Sequence, residues 1–187
     1  MRFHPGNTAF AVCFAGLIVA VIATASAKSQ DLNLSQLTDA ELDSLVIQFE
    51  RTTCYGNCPA YRLTIYGDGR VEYNGLKFVK LAGPAQGRVG RVELKTLVEQ
   101  LSKADFLKID QYTEKSCSCT LCTDMPTAIT EVKLKNKSHR VEHYYGCRCA
   151  PKALWDVEEA IDKITRSEQW TGDVSKQGPL GTTCFSK

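Results

Sequence analysis

Histidine and methionine are scarce in this chain, with 3 and 2 respectively in 187 residues, and neither sign of charge dominates: 23 basic and 21 acidic side chains leave a net of +2. Each shortage excludes a class of function. His139 and His143 stand four apart in a strand-like segment, about 13 Å at ~3.3 Å per residue, so they cannot share one ion. The chain has no H-E-x-x-H, no G-x-S-x-G elbow and no C-x-x-C-H. It therefore lacks the starting residues of a zinc protease, a serine hydrolase and a c-type cytochrome. The charges are interspersed, and the densest basic group, Lys133, Lys135, Lys137 and Arg140, reads as the tip of a hairpin. Nucleic-acid binding needs a stripe that neutralises several phosphates together, so no nucleic-acid partner is expected.

An apolar run of transmembrane length, about 20 residues, is also missing. The longest run, Ala9 to Ala25, follows Met1-Arg2-Phe3-His4 and ends in the small-x-small pattern Ala25-Ser26-Ala27 before Lys28. That pattern predicts a signal peptide over residues 1–27, cleaved near Ala27. The mature protein is then exported, periplasmic or secreted, with no stable membrane insertion. Cys13 lies inside the run behind Phe10-Ala11-Val12, without the small residue that precedes a lipoprotein cysteine.

Cysteine is abundant, at nine. Cys13 leaves with the leader; Cys54, Cys58, Cys117, Cys119, Cys122, Cys147, Cys149 and Cys184 remain. An even set of thiols in an oxidising compartment predicts a disulfide framework, and eight cysteines allow about 105 pairings.

Residues 28–44 form a polar leader, and Leu45 to Thr52 reads as a strand. The loop Cys54-Tyr55-Gly56-Asn57-Cys58-Pro59 carries turn residues and joins that strand to the next. Tyr61, Leu63 and Ile65 alternate with polar neighbours, and Gly67-Asp68-Gly69 turns the chain into a strand through Val71 and Tyr73. A further strand is expected over Lys77 to Leu81, followed by a glycine-broken connection. Leu94, Leu97, Val98 and Leu101 predict a helix over residues 91–104. Ala128 to Leu134 and His139 to Tyr145 predict a second hairpin. With Asn136 and Lys137 as its turn, Val132 faces Val141, and Cys122 and Cys149 share a face. Pro151 suits the first position of a last helix that buries Leu154, Val157, Ile161 and Ile164 and turns Glu158 and Glu159 outward. The expected fold is α+β: an antiparallel sheet of two hairpins plus a further strand, with two helices packed on one face. Residues 45–166 form this single domain, 167–187 an irregular C-terminal tail pinned by Cys184, and the protein is expected to be a monomer.

The stretch Arg51-Thr52-Thr53-Cys54-Tyr55-Gly56-Asn57-Cys58-Pro59-Ala60-Tyr61 carries a Cys-x-Gly-x-Cys-Pro-x-Tyr core. With Asp68-Gly69, Tyr73-Asn74-Gly75, Ala104-Asp105-Phe106, Asp124-Met125-Pro126-Thr127 and Tyr145-Gly146, it resembles a bacterial family of exported proteins, domain of unknown function DUF 6438, over roughly residues 45 to 165. The resemblance implies an exported single domain with no assigned activity. The cysteines of the 117–122 loop, the Cys147-Arg148-Cys149 pair and Cys184 depart from the family pattern.

Cys54 and Cys58 flank a strand-to-strand loop short enough for a structural staple. A reactive thiol pair there would need a helix N-terminus or a cation, whereas a strand and Pro59 follow. Cys117, Cys119, Cys122, Cys147 and Cys149 offer thiolate spacings that also suit Zn²⁺ or Cu⁺, in competition with disulfide formation. A thioredoxin-like reading of Cys119 to Cys122 fails because Asp124-Met125-Pro126 and a strand follow where that motif needs a helix. Asp68 and Asp124 read as turn and loop residues. The expected protein is a non-enzymatic envelope or secreted module without cofactor, which binds an unknown protein or envelope ligand through its cysteine-tied loops. The alternatives are a thiol-redox or metal-binding (Zn/Cu) protein that uses the cysteine clusters and, more remotely, a hydrolase whose site the sequence does not display.

Overall fold

The computed structural model describes residues 1–2, 34–172 and 183–185; apart from Met1 and Arg2, the expected signal peptide lies outside the described residues. The body of the protein is a six-stranded antiparallel sheet built from β1 (Leu45–Arg51), β2 (Ala60–Tyr66), β3 (Arg70–Lys77), β4 (Gly83–Arg88), β6 (Thr127–Leu134) and β7 (Lys137–Tyr144). Its spatial order is β4-β3-β2-β1-β6-β7, so the first strand of the domain is central. β1 alternates: Leu45, Ile47 and Phe49 are buried, while Val46, Gln48 and Glu50 are half-buried. Leu63 and Ile65 on β2 and Val71 and Tyr73 on β3 continue the apolar face. Gly69, at φ 84°, turns β2 into β3 in a conformation that a side chain would strain.

Two long helices, α2 (Arg91–Lys103) and α3 (Lys152–Thr165), cover that face. α2 buries Leu94, Leu97, Val98 and Leu101, and α3 buries Leu154, Val157 and Ile161, each stripe at three- and four-residue spacing. The sheet and helices share one core, with Leu45, Ile47, Leu94, Leu97, Leu101, Leu154 and Ile161 at 0% exposure. The fold is α+β, and among the described residues no helix is long and apolar enough to cross a membrane.

Several expectations change. The strand expected at Lys77 to Leu81 does not form: β3 ends at Lys77, residues 78–82 lie outside any strand, and the next strand, β4, begins at Gly83. Its sequence Gly-Pro-Ala-Gln-Gly-Arg lacks apolar alternation, because an edge strand is held by backbone pairing with β3 alone. The β6–β7 register sets Val132 against His139 and Thr130 against Val141. Lys135, at φ 55°, opens the turn in place of Asn136 and ties the tip to Glu41 at 2.9 Å. The pairing therefore slips by two residues, which keeps each side chain on its expected face.

The leader is structured from Leu34. A 3-10 turn at Leu34–Gln36 and a short helix α1 (Asp39–Asp43), closed by a Thr38–Glu41 capping box, place Leu34 and Leu42 in the core. Pro151 is the N-cap of α3 and does not lie inside it. The tail does not begin at Ser167: α4 (Glu168–Thr171) follows, and Trp170 stacks on Tyr73 with ring centroids 4.8 Å apart. Two two-residue strands, β5 (Leu121–Cys122) and β8 (Cys184–Phe185), pair beside the main sheet.

Candidate functional site

Arg51 ends β1 in the apolar phase of that strand, two residues beyond Phe49, so its side chain enters the side of the sheet that α3 covers. There it meets acids and phenols. Its Nε donates to Tyr61 Oη at 3.1 Å and to Asp162 Oδ2 at 3.0 Å, its Nη2 donates to Asp162 Oδ2 at 2.9 Å, and its Nη1 donates to Tyr145 Oη. Tyr61 donates to Asp162 Oδ1, which also accepts from Ser167 Oγ at 2.7 Å. Tyr145 in turn donates to Glu158 Oε2 at 2.7 Å, and the other oxygen of Glu158 accepts from His143 Nδ1 at 2.9 Å.

Glu158 is thus not an outward residue. It is 1% exposed and lies in the α3 stripe one turn after Leu154, and Asp162 follows one turn later. The Nε2 of His143 is buried and without a hydrogen-bond partner among the described residues. The ring is wedged against Trp155 at 4.4 Å and Tyr145 at 4.8 Å.

The network fixes its own protonation. Burial works against the Arg51 cation, but Tyr145, Asp162, Tyr61 and Glu158 together hold its pKa well above the ordinary arginine value. Burial, reinforced by the Asp162 charge, pushes the Tyr61 hydroxyl far up, and burial does the same to Tyr145 despite the opposing Arg51 cation. Both phenols therefore stay neutral across the physiological range.

Above this network lies a cleft of about 1110 Å³. Arg51, Tyr61, Tyr145 and Asp162 form part of its lining, Cys58 and Pro59 one wall, Met125 and Pro126 a second, and the end of α3 with α4, from Glu159 to Thr171, the third. Cys54 and Cys58 are joined, with Cα atoms 5.5 Å apart, so the loop that carries the first wall is closed on itself. At the tip of that loop Tyr55 is 70% exposed, while its N–H donates to the Asp124 carbonyl at 3.2 Å.

The remaining cysteines form a separate group. Cys117 pairs with Cys147, Cys119 with Cys149, and Cys122 with Cys184. The expected approach of Cys122 to Cys149 therefore gives way to pairing with Cys184, and the five-thiol set reduces to four: the sulfurs of Cys117, Cys119, Cys147 and Cys149 all lie within 4.8 Å of one another. His139 stands apart, its Nε2 3.1 Å from the Ile109 carbonyl. Asp68 accepts from the Arg70 N–H at 2.8 Å as a turn residue, and Asp124 adopts φ 66° in its loop. On the basic hairpin Lys133 reaches Gln48 and Glu131, Lys135 reaches Glu41, and Arg140 reaches Glu142.

The model of the family described as Domain of unknown function (DUF6438) matches residues 45–165, more than half of the chain. The chain belongs to the DUF6438 family. No curated protein matches it. The DUF6438 span contains β1 to β7, α2 and α3, and with them Arg51, Tyr61, Tyr145, Glu158 and Asp162; α4 and Cys184 lie beyond it. Three of the six stretches that carry the resemblance contribute to the cleft: Arg51, Cys58, Pro59 and Tyr61 from residues 51–61, Met125 and Pro126 from residues 124–127, and Tyr145. Glu158 and Asp162 carry no such motif. Their signal is a pair of acids one turn apart, with Glu158 in phase with an apolar helical stripe.

Proposed function

We propose that the protein is an exported, non-catalytic binding module of the cell envelope whose ligand seats in the cleft over Arg51. The observation that carries this reading is that residues from distant segments of the DUF6438 span, Arg51 with Tyr61, Tyr145 and Asp162, meet in one preorganised hydrogen-bonded network at the floor of a cleft of about 1110 Å³. Groups fixed in advance lose little entropy when a ligand arrives, and the Cys54–Cys58 loop adds a rigid wall with an exposed tyrosine at its tip. The network is built to hold and not to react. Asp162 is occupied at both oxygens, Tyr61 and Tyr145 are held neutral, and His143 is 0% exposed behind Tyr145 and Trp155.

The ligand is a peptide segment of an envelope or secreted partner. Each Nη of Arg51 keeps one N–H without an acceptor among the described residues, which suits a carbonyl or carboxylate, and Met125, Pro126 and Pro59 supply the apolar walls. Selection from a random-peptide library, followed by calorimetry, tests this. Selected peptides are expected to lose at least about tenfold in affinity on Gln169→Trp, which fills the cleft from its exposed rim, and on Tyr55→Ala, equivalent to about 1.4 kcal/mol. Peptides that bind both variants as tightly as the wild type would refute the reading.

A further inference from the structure

The second pole of the molecule is its group of four sulfurs. We propose that, once reduced, Cys117, Cys119, Cys147 and Cys149 form a four-thiolate site for one zinc ion, so that this exported domain exchanges two disulfides for a metal according to the redox state around it.

The geometry is already close to that of such a site. In a tetrahedral zinc site with Zn–S near ~2.3 Å, the sulfurs stand about 3.8 Å apart. Here the unbonded neighbours are at that spacing, with Cys117 Sγ to Cys119 Sγ at 3.7 Å and Cys147 Sγ to Cys149 Sγ at 3.7 Å, and the whole set falls within 4.8 Å. Only the two bonded pairs have to open. The ligands come as two Cys-x-Cys pairs on facing segments, and the backbone holds these segments together without help from the sulfurs. The Cys122 N–H donates to the Gly146 carbonyl at 2.8 Å, the Arg148 N–H donates to the Thr120 carbonyl at 3.1 Å, and Leu121 bridges to Cys147 between them. Tyr144 adds a hydrogen bond from its hydroxyl to the Cys122 carbonyl at 2.9 Å. Reduction therefore frees the thiols without releasing the loops that carry them.

The site is also accessible from one side. Cys147 and Cys117 are buried, at 0% and 4% exposure, whereas Cys149 is exposed and Cys119 half-buried. A reductant meets the Cys119–Cys149 bond first. The thiols it produces then stand 3.7 Å from the sulfurs of the inner bond, within reach for exchange. Two molecules of a dithiol reductant supply the four electrons and four protons: each disulfide becomes two thiols while each dithiol closes to its own disulfide. Zinc then displaces the four protons as four Zn–S bonds form. Cys122 takes no part, because its sulfur lies outside the group of four and pairs with Cys184 in the oxidised chain.

The full exported chain, reduced with a dithiol under anaerobic conditions, loaded with Zn²⁺ and desalted, provides the test. About one zinc per chain is expected, with Cys117, Cys119, Cys147 and Cys149 protected from alkylation in peptide mapping while Cys54, Cys58, Cys122 and Cys184 are labelled. Substituting Co²⁺ is expected to give thiolate-to-metal charge-transfer absorption. Cys119→Ser/Cys149→Ser is expected to lose the ion, and Cys54→Ser/Cys58→Ser to keep it. Circular dichroism accompanies each sample. Absence of a retained ion, retention by Cys119→Ser/Cys149→Ser, or a reduced chain that stays unfolded with zinc present overturns the proposal.

Discussion

Replacing Asp162 with leucine removes the group on which the cleft network closes. Its Oδ2 accepts from Arg51 at 3.0 and 2.9 Å, and its Oδ1 accepts from Tyr61 and, at 2.7 Å, from Ser167. The Arg51 and Asp162 side chains are only 19% and 23% exposed, so the guanidinium left behind stays largely out of water. Breaking a buried pair on one side costs about 3–5 kcal/mol, and the residual exposure puts Asp162→Leu at the lower end, about 3 kcal/mol. Against a total stability of roughly 5–15 kcal/mol this is a large fraction. It corresponds to a fall in Tm of about 6–12 °C for a domain of this size. Arg51→Leu/Asp162→Leu leaves neither member of this pair facing an absent partner, so its cost is expected to fall short of the sum of the two single changes by about 1–3 kcal/mol. Urea unfolding of the oxidised wild type, both singles and the double gives all four corners of the cycle. An additive double, or an Asp162→Leu cost below about 1 kcal/mol, would refute the assignment of Arg51 and Asp162 as a mutually compensating pair.

Two further outcomes test other parts of the molecule. A Cβ on Gly146 would sit 2.0 Å from the Cys122 carbonyl oxygen and 2.3 Å from the Tyr144 ring, so Gly146→Ala is expected to cost about 1–3 kcal/mol or more in thermal unfolding and to slow correct pairing of Cys117, Cys119 and Cys122 during oxidative refolding. Hydrogen bonding from the Thr38 backbone, then the Lys135 ammonium and the Thr38 hydroxyl, holds the Glu41 carboxyl down to about 2. A depressed carboxyl contributes stability above its unfolded value and loses it as pH falls toward the folded one. Acid titration of wild type against Glu41→Gln should therefore show curves that differ at neutral pH and converge below the ordinary carboxylate range; a constant offset down to about pH 2 would contradict it.

The elements that announced themselves were those with a strong period. Leu94, Leu97, Val98 and Leu101 delivered α2, and Tyr61, Leu63 and Ile65 with the Gly67-Asp68-Gly69 turn delivered the first hairpin. β4 stayed hidden because an edge strand needs only a partner's free carbonyls and N–H groups, and Gly83-Pro84-Ala85 carries no apolar code for that. Beyond the expected Cys54–Cys58 staple, cysteine pairing was illegible for a different reason: Cys122 meets Cys184 across 62 residues, a contact set by where the chain ends up and not by any local spacing. The cleft network was not legible, since Glu158 was expected outward beside Glu159 and is instead 1% exposed. Arg51 and Glu158 occupy apolar phases of a strand and a helix, and a charge in such a phase is either an error of the pattern or a partner for something. Only the fold shows that Arg51 and Glu158 are linked through Tyr145.

The central place of β1 also bears on how the chain reaches its final form. One edge of β1 pairs with the strand that follows it, but the other waits for β6, which lies beyond two more strands, a helix and the cysteine loop. A chain that emerges N-terminus first therefore cannot complete its sheet until β7, which ends at Tyr144, has followed. Such distant closure is slow to nucleate. The topology thus leaves the central strand half-paired, and the growing body open along one side, for as long as the later segments are missing.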